Sequence, residues 1–269
     1  EYKNEESYTV WAELALNLRK VLNLVADTGF EGEYKAFALG IFEKAVKRVG
    51  WVVKKGEEQN QALLRSLILG NAGDYGHLET VEKAKKLFTD FLENDKPISA
   101  DLRGAVYGIA SEHVGEKEHA ELVKRYKKEC LHEEQGRLGR ALAGFADKNL
   151  LAKTLEFALS KDVRSQDTLG LVAGVWSNPT GRELAWEFVK KNWPVFLERY
   201  GSGGYSLSRL VKAGSVFHTR EAYNDFKKFF KTHNAPGASR AVDQVLEKID
   251  GNVRWLTRDV KEIEKWLSN

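Results

Sequence analysis

The 269-residue sequence contains no methionine, one cysteine and four prolines. The lone cysteine, Cys130, excludes an internal disulfide framework and fits a reducing, cytoplasmic compartment. So little proline favours helices, because proline costs about 3 kcal/mol inside one. The opening residues carry no signal-peptide pattern. The longest apolar run, Leu169 to Trp176 with Gly170 and Gly174 inside it, is far short of the roughly 20 residues of a membrane helix. No membrane partner is expected. Neither sign of charge dominates: 42 basic and 39 acidic residues are interleaved, for a net +3. Nucleic-acid binding needs a concentrated basic face, and only short clusters such as Lys124, Arg125, Lys127 and Lys128 occur, which read as solvated helix faces. The missing methionine suggests a fragment or a processed product.

What is present is helical periodicity. Val10, Trp11, Leu14, Ala15, Leu18, Val21, Leu22 and Val25 recur at three- and four-residue steps, which puts them on one stripe of a helix. Asp27-Thr28-Gly29 predicts its stop, with glycine taking the left-handed position. A second helix is expected from Glu33 to Arg48, closed by Gly50. Further helices are expected near 59–70, 77–92, 99–112, 116–129, 133–144 and 148–159. Ser99 and Asp147 have the placement of N-caps. Thr180 and Glu183 have the spacing of a capping box. The last segment, 238 to 267, is expected to break near Gly251. No run alternates between apolar and polar residues as a strand would. Helix hairpins in succession predict an all-α fold, an α-solenoid of antiparallel HEAT-like pairs forming a curved bowl, with the whole of 1–269 as one unit.

The chemistry-bearing residues do not assemble a catalytic set. The histidines are His77, His113, His119, His132, His218 and His233, and no two stand four apart on a helix as a zinc pair requires. Cys130 and His132 diverge on a helix, so the cysteine reads as structural. Ser202, flanked by Tyr200 and Gly204, and Ser206, flanked by Gly204 and Ser208, each lack one of the two glycines of a nucleophile elbow. In "RYGSGG" Gly201 is expected to cap the helix ending at Tyr200, with Gly203 and Gly204 forming the turn. Adjacent carboxylates such as Glu133 and Glu134 diverge, whereas acid–base work needs them convergent. Trp176, Trp186 and Trp193 read as core.

Longer motifs do point somewhere. "LSKDVRSQDT", "NPTGRELAWEFVKKNW", "RYGSGGYSLSRLV" and "FFKTHNAPGASRAVDQVLEKI" resemble the C-terminal helical domain of zinc aminopeptidases, closest to the puromycin-sensitive and tricorn-interacting branch. "YTVWAELALNL", "VGWVVKKGEEQNQALLRSLILGNAG", "DLRGAVYGIA" and "RALAGFADKNLLAKTLEFALSKD" fit the same domain in the same order, so the resemblance spans about residues 7 to 267. It implies an upstream catalytic domain in the same polypeptide, which carries the zinc helix and the loop holding a peptide's amino end. Neither motif occurs here, so this chain alone is expected to be inactive and to need no cofactor, zinc being implied for the full-length enzyme. The helical part would cover the zinc site, enclose a chamber and accept the distal part of peptide substrates. Arg164, Gln166 and Asp167, at a helix start, and Ser177 and Asn178, at the next junction, are the candidate substrate-binding residues. Tyr205 and Arg209 are weaker candidates. The competing reading for all of them is helix capping and inter-repeat ion pairing, with Arg164 bound to Asp162 or Asp167. The competing function is a free-standing α-solenoid that binds a peptide or protein.

Overall fold

A computed structural model describes residues 2–53, 56–202 and 205–268. Among these there are fourteen α-helices and no strand. The first ten are α1 (Tyr8–Val25), α2 (Glu31–Val49), α3 (Gln59–Asp74), α4 (Leu78–Asn94), α5 (Arg103–Ser111), α6 (Glu116–Lys128), α7 (His132–Leu142), α8 (Lys148–Leu159), α9 (Ser165–Ser177) and α10 (Arg182–Lys191). The last four are α11 (Trp193–Tyr200), α12 (Ser206–Lys212), α13 (Arg220–Thr232) and α14 (Ser239–Leu267).

The helices stack as hairpins in two layers. In one layer α1 packs on α3, α3 on α5, α5 on α7, α7 on α9 and α9 on α12. In the other, α4 meets α6 and α8 meets α10. Each amphipathic helix cannot bury its stripe alone, so neighbours complete one continuous core that runs from Trp11 to Ile249. The array also curls: α14 packs back onto α1 and α2. Trp266 near the end of α14 meets Phe37 of α2 edge-on, with ring centroids 4.8 Å apart.

Trp176, Trp186 and Trp193 are buried, as expected. Trp186 stacks on Trp176 at 5.3 Å and on Phe226 at 5.2 Å, and its indole N–H donates to Asp225 at 2.7 Å. Burying each such ring stabilises by roughly 1.5–3 kcal/mol or more. Polar ties join neighbouring elements too. The guanidinium of Arg65 grips Glu57, with Nη1 to Oε2 at 2.9 Å, and its Nε donates to the Val49 carbonyl at 3.2 Å. Glu134, buried on α7, accepts from Tyr107 of α5 at 2.8 Å and pairs with Arg137 at 2.9 Å.

Several local expectations meet the structure directly. Asp147 caps α8, its Oδ1 accepting from the amides of Asn149 at 2.8 Å and Leu150 at 2.9 Å. Gly50 closes α2 at φ 57°. Others are corrected. The left-handed residue after α1 is Asp27, at φ 71°, and not Gly29. A short polar side chain tolerates that region by bonding locally. Ser99 acts through its backbone carbonyl, which accepts from Leu102 and Arg103, and α5 begins only at Arg103. The Thr180–Glu183 capping box does not form: Asn178 Oδ1 takes the Thr180 amide at 3.0 Å, and the N-cap of α10 is Gly181. α14 runs unbroken through Gly251, because its apolar stripe stays packed on both sides. Gly201 does follow α11 as its C-cap, donating to Leu197 O. Gly203 and Gly204 lie outside the described residues.

Candidate functional site

A cleft of about 750 Å³ runs along one edge of the array. Its lining follows from the topology. Helices of one layer in a hairpin stack point the same way, so α1, α3, α5, α7 and α9 all end on this edge. Each then turns into its even-numbered partner. Arg19 and Asn23 come from the last turns of α1, Asp74 from the end of α3, and Gly108 and Glu112 from the end of α5. Arg140 and residues 143–146 follow from α7, and Gly174, Ser177 and Asn178 from α9. Glu31 and Lys35 of α2, Lys148 of α8, and Pro179, Thr180 and Glu183 at the start of α10 complete it. The curl brings the turn after α1, with Asp27, onto the same cleft as the turn after α9.

The lining is highly charged. Asp74 pairs with Arg19, and Glu31 with Lys35 at 2.8 Å. Among the described residues Arg140, Lys148, Asp27, Glu112 and Glu183 make no ion pair, although they line the cleft. Crowding by the wall lifts the Glu183 carboxyl above its ordinary value, chiefly by desolvation, even though the side chain keeps access to solvent. Helix C-termini add exposed carbonyls, which favour donors and cations. The described lining residues offer hydroxyls, amides and charges but neither a histidine nor a thiol.

The seven residues singled out in the sequence fall in two places. Ser177 and Asn178 line the cleft. Ser177 is exposed, its Oγ donating to Ala173 O at 2.9 Å. Asn178 is half-buried and fully engaged: Nδ2 donates to Ala143 O at 3.0 Å and Phe145 O at 2.9 Å. Arg164, Gln166 and Asp167 lie at the opposite end of α9. Arg164 Nε pairs with Asp167 Oδ2 at 2.6 Å, while Asp162 pairs with Lys127 at 2.7 Å and Gln166 is exposed. Tyr200 at the end of α11 bonds Ser165, so Tyr205 and Arg209 start the next helix on that same far side. Tyr205 is 88% exposed and Arg209 is exposed. The sequence reading missed Arg19, Asp27, Glu112, Arg140, Lys148 and Glu183. Their common signal is position: each flanks a turn from an odd helix to an even one.

A second concavity of about 720 Å³ lies between α4, α6 and α7. Its charges are largely satisfied. Arg125 sits over the Phe91 ring at 4.4 Å, donates to Leu92 O at 2.8 Å and pairs with Asp95 at 2.7 Å. Cys130 on its rim is exposed. Among the described residues no three His, Cys, Asp or Glu side chains converge to hold a metal ion, so the donor set for a zinc centre is not assembled here. No helix of the described residues is long and apolar enough to cross a membrane.

A curled stack of helix hairpins, with a charged cleft along its turns, defines an α-solenoid-like helical domain. Residues 1–251 match the ERAP1-like C-terminal domain family, and the chain belongs to that family. It is 31% identical to "Aminopeptidase M1" of Arabidopsis thaliana over 97% of its own length and 30% of that protein. It is 27% identical to "Puromycin-sensitive aminopeptidase" of Caenorhabditis elegans, over 98% of the chain and 29% of the relative. The likeness to "Endoplasmic reticulum aminopeptidase 2" of Homo sapiens is 27%, over 87% of the chain and 24% of the relative. The chain thus spans less than a third of the length of these relatives.

Proposed function

We propose that this chain is the non-catalytic C-terminal helical domain, over 1–269, of a zinc aminopeptidase. The intact enzyme removes N-terminal residues from peptides, and this part encloses the chamber and holds the distal stretch of the substrate. The observation that carries the reading is the family match over nearly the whole chain, to relatives named as aminopeptidases that are more than three times longer. The cleft supports it. Unpaired Arg140 and Lys148 can bind carboxylates or backbone carbonyls, unpaired Glu112 and Glu183 can bind amines and amides, and Ser177 offers its hydroxyl. Asn178 shapes the turn beside them. In this proposal the pair Arg164–Asp167, with Gln166, Tyr205 and Arg209, forms a second polar contact surface on the far edge. The metal and its water-activating groups belong to the catalytic part of the same polypeptide. The proposed compartment is the cytoplasm, a placement supported by the lone exposed thiol.

The test uses the chain joined to its catalytic part. Arg140→Ala with Lys148→Ala should raise KM for peptides of about ten residues several-fold and leave a single-residue aminoacyl substrate unchanged. Equal effects on both substrates, or on neither, sink the cleft assignment. Turnover of any aminoacyl substrate by this chain alone sinks the non-catalytic reading.

A further inference from the structure

Arg182, the first residue of α10, is 4% exposed and lies just behind the cleft wall, between the lining residues Thr180 and Glu183. Its Nη1 approaches His218 Nδ1 at 3.1 Å, but its buried Nε and Nη2 have no acceptor. A guanidinium does not shed its proton at ordinary pH, so a buried arginine needs a counter-ion. His218 does not supply one: burial, and then the charge of Arg182, hold its ring neutral. Glu183 is the next residue on the same helix, and successive helical side chains diverge. Of the other carboxylates of the cleft, Asp74 and Glu31 are already paired, with Arg19 and Lys35, and Glu112 is not among those whose charge reaches Arg182, which leaves Asp27. It is exposed, makes no ion pair among the described residues, and sits in the turn after α1 on the same cleft. Of the two carboxylates whose charge reaches Arg182, Asp27 acts more strongly than Glu183.

We propose that Asp27 is the missing counter-ion of Arg182, and that the cleft narrows when this ion pair forms between the first and fifth hairpin turns. In the arrangement described here the latch is open. Closing it satisfies the orphaned donors of Arg182 and draws α2 and α10 together across the cleft. The latch concerns the shape of the cleft and holds whether or not peptides enter it.

The test is a distance measurement by pulsed electron paramagnetic resonance on the chain without peptide. Spin labels go on Glu33→Cys of α2 and Glu187→Cys of α10, both exposed, in a Cys130→Ser background. Asp27→Asn removes the charge and keeps the turn, since asparagine also accepts the left-handed region; Asp27→Glu restores the charge. The parent should show a short and a long distance population, D27N only the long one, and D27E both. A short population that survives D27N, or one population common to the parent and D27N, overturns the latch. Because no peptide is present, neither result bears on the peptide-binding assay.

Discussion

His119 on α6 places Nε2 2.8 Å from the hydroxyl of Thr154 on α8, with its ring edge-on to Phe145 at 5.0 Å. The contact bridges two successive hairpins through a buried ring whose charged form the site disfavours. Burial holds His119 below its ordinary value, and the charge of Lys153 acts the same way.

Acid should therefore loosen the fold. Above about pH 6.5, the ordinary histidine value, both folded and unfolded rings are neutral and the bridge is intact. As pH falls below that, the unfolded chain takes up the proton first, so stability drops until the folded ring titrates too. His218, also held low by burial, adds to the same trend. Urea midpoints measured from about pH 7.5 to about pH 5 should fall, and fall less steeply in His119→Gln. A flat profile for the parent would show that neither ring is held neutral by the fold.

The Arg65–Glu57 pair should behave as a buried ion pair. Both side chains are nearly inaccessible, at 3% and 9%. Glu57→Gln leaves a buried charge without its counter-ion, which costs about 3–5 kcal/mol when a partner is removed. Replacing Arg65 by methionine together with Glu57→Gln should recover part of that loss. Chemical denaturation of the single and double variants reads both. A loss under about 1 kcal/mol in Glu57→Gln is the value for an exposed pair and would contradict the burial.

Why much of this was legible follows from which physics is local. Apolar stripes at 3.6-residue spacing gave the helices, and a short acidic side chain before an apolar stripe gave the Asp147 cap. The failures sit where packing overrides propensity: Gly251 lies inside a helix whose Val245, Ile249 and Val253 are held by neighbours on either side. The family was legible from ordered motifs. The cleft was not, because residues 19, 27, 112, 140 and 183 meet only through the direction and curl of the stack. Asn178 was legible as special, but the bonds it makes to Ala143 and Phe145 depend on the turn between α7 and α8 lying beside it.

That dual position makes Asn178 and Ser177 a useful contrast. Asn178→Ala strands the Ala143 and Phe145 carbonyls and the Thr180 amide, and should lower stability by about 1–3 kcal/mol. Ser177→Ala removes only an exposed bond to its own helix and should change stability by under about 0.5 kcal/mol. Calorimetric Tm values separate them. A strong loss in Ser177→Ala would mean that its hydroxyl supports the fold and is not free for a ligand.

Gly181 and Gly251 should respond with opposite sign to the same substitution. Gly181 lies in the turn that delivers Arg182 and Glu183 to the cleft. A Cβ there would meet the Val175 carbonyl oxygen at 2.6 Å and Val175 Cγ1 at 2.8 Å. Backbone cannot step aside as a flexible side chain can, so Gly181→Ala should cost about 1–3 kcal/mol and shift the start of α10. Gly251 sits inside α14, where an added Cβ meets nothing within 4 Å. Gly251→Ala should therefore stabilise by about 0.5–1 kcal/mol, the gap between glycine and alanine in a helix interior. If Gly251→Ala instead destabilises, α14 bends at that point in solution, and the packing of its last turns onto α1 and α2 is not continuous with the rest of the helix.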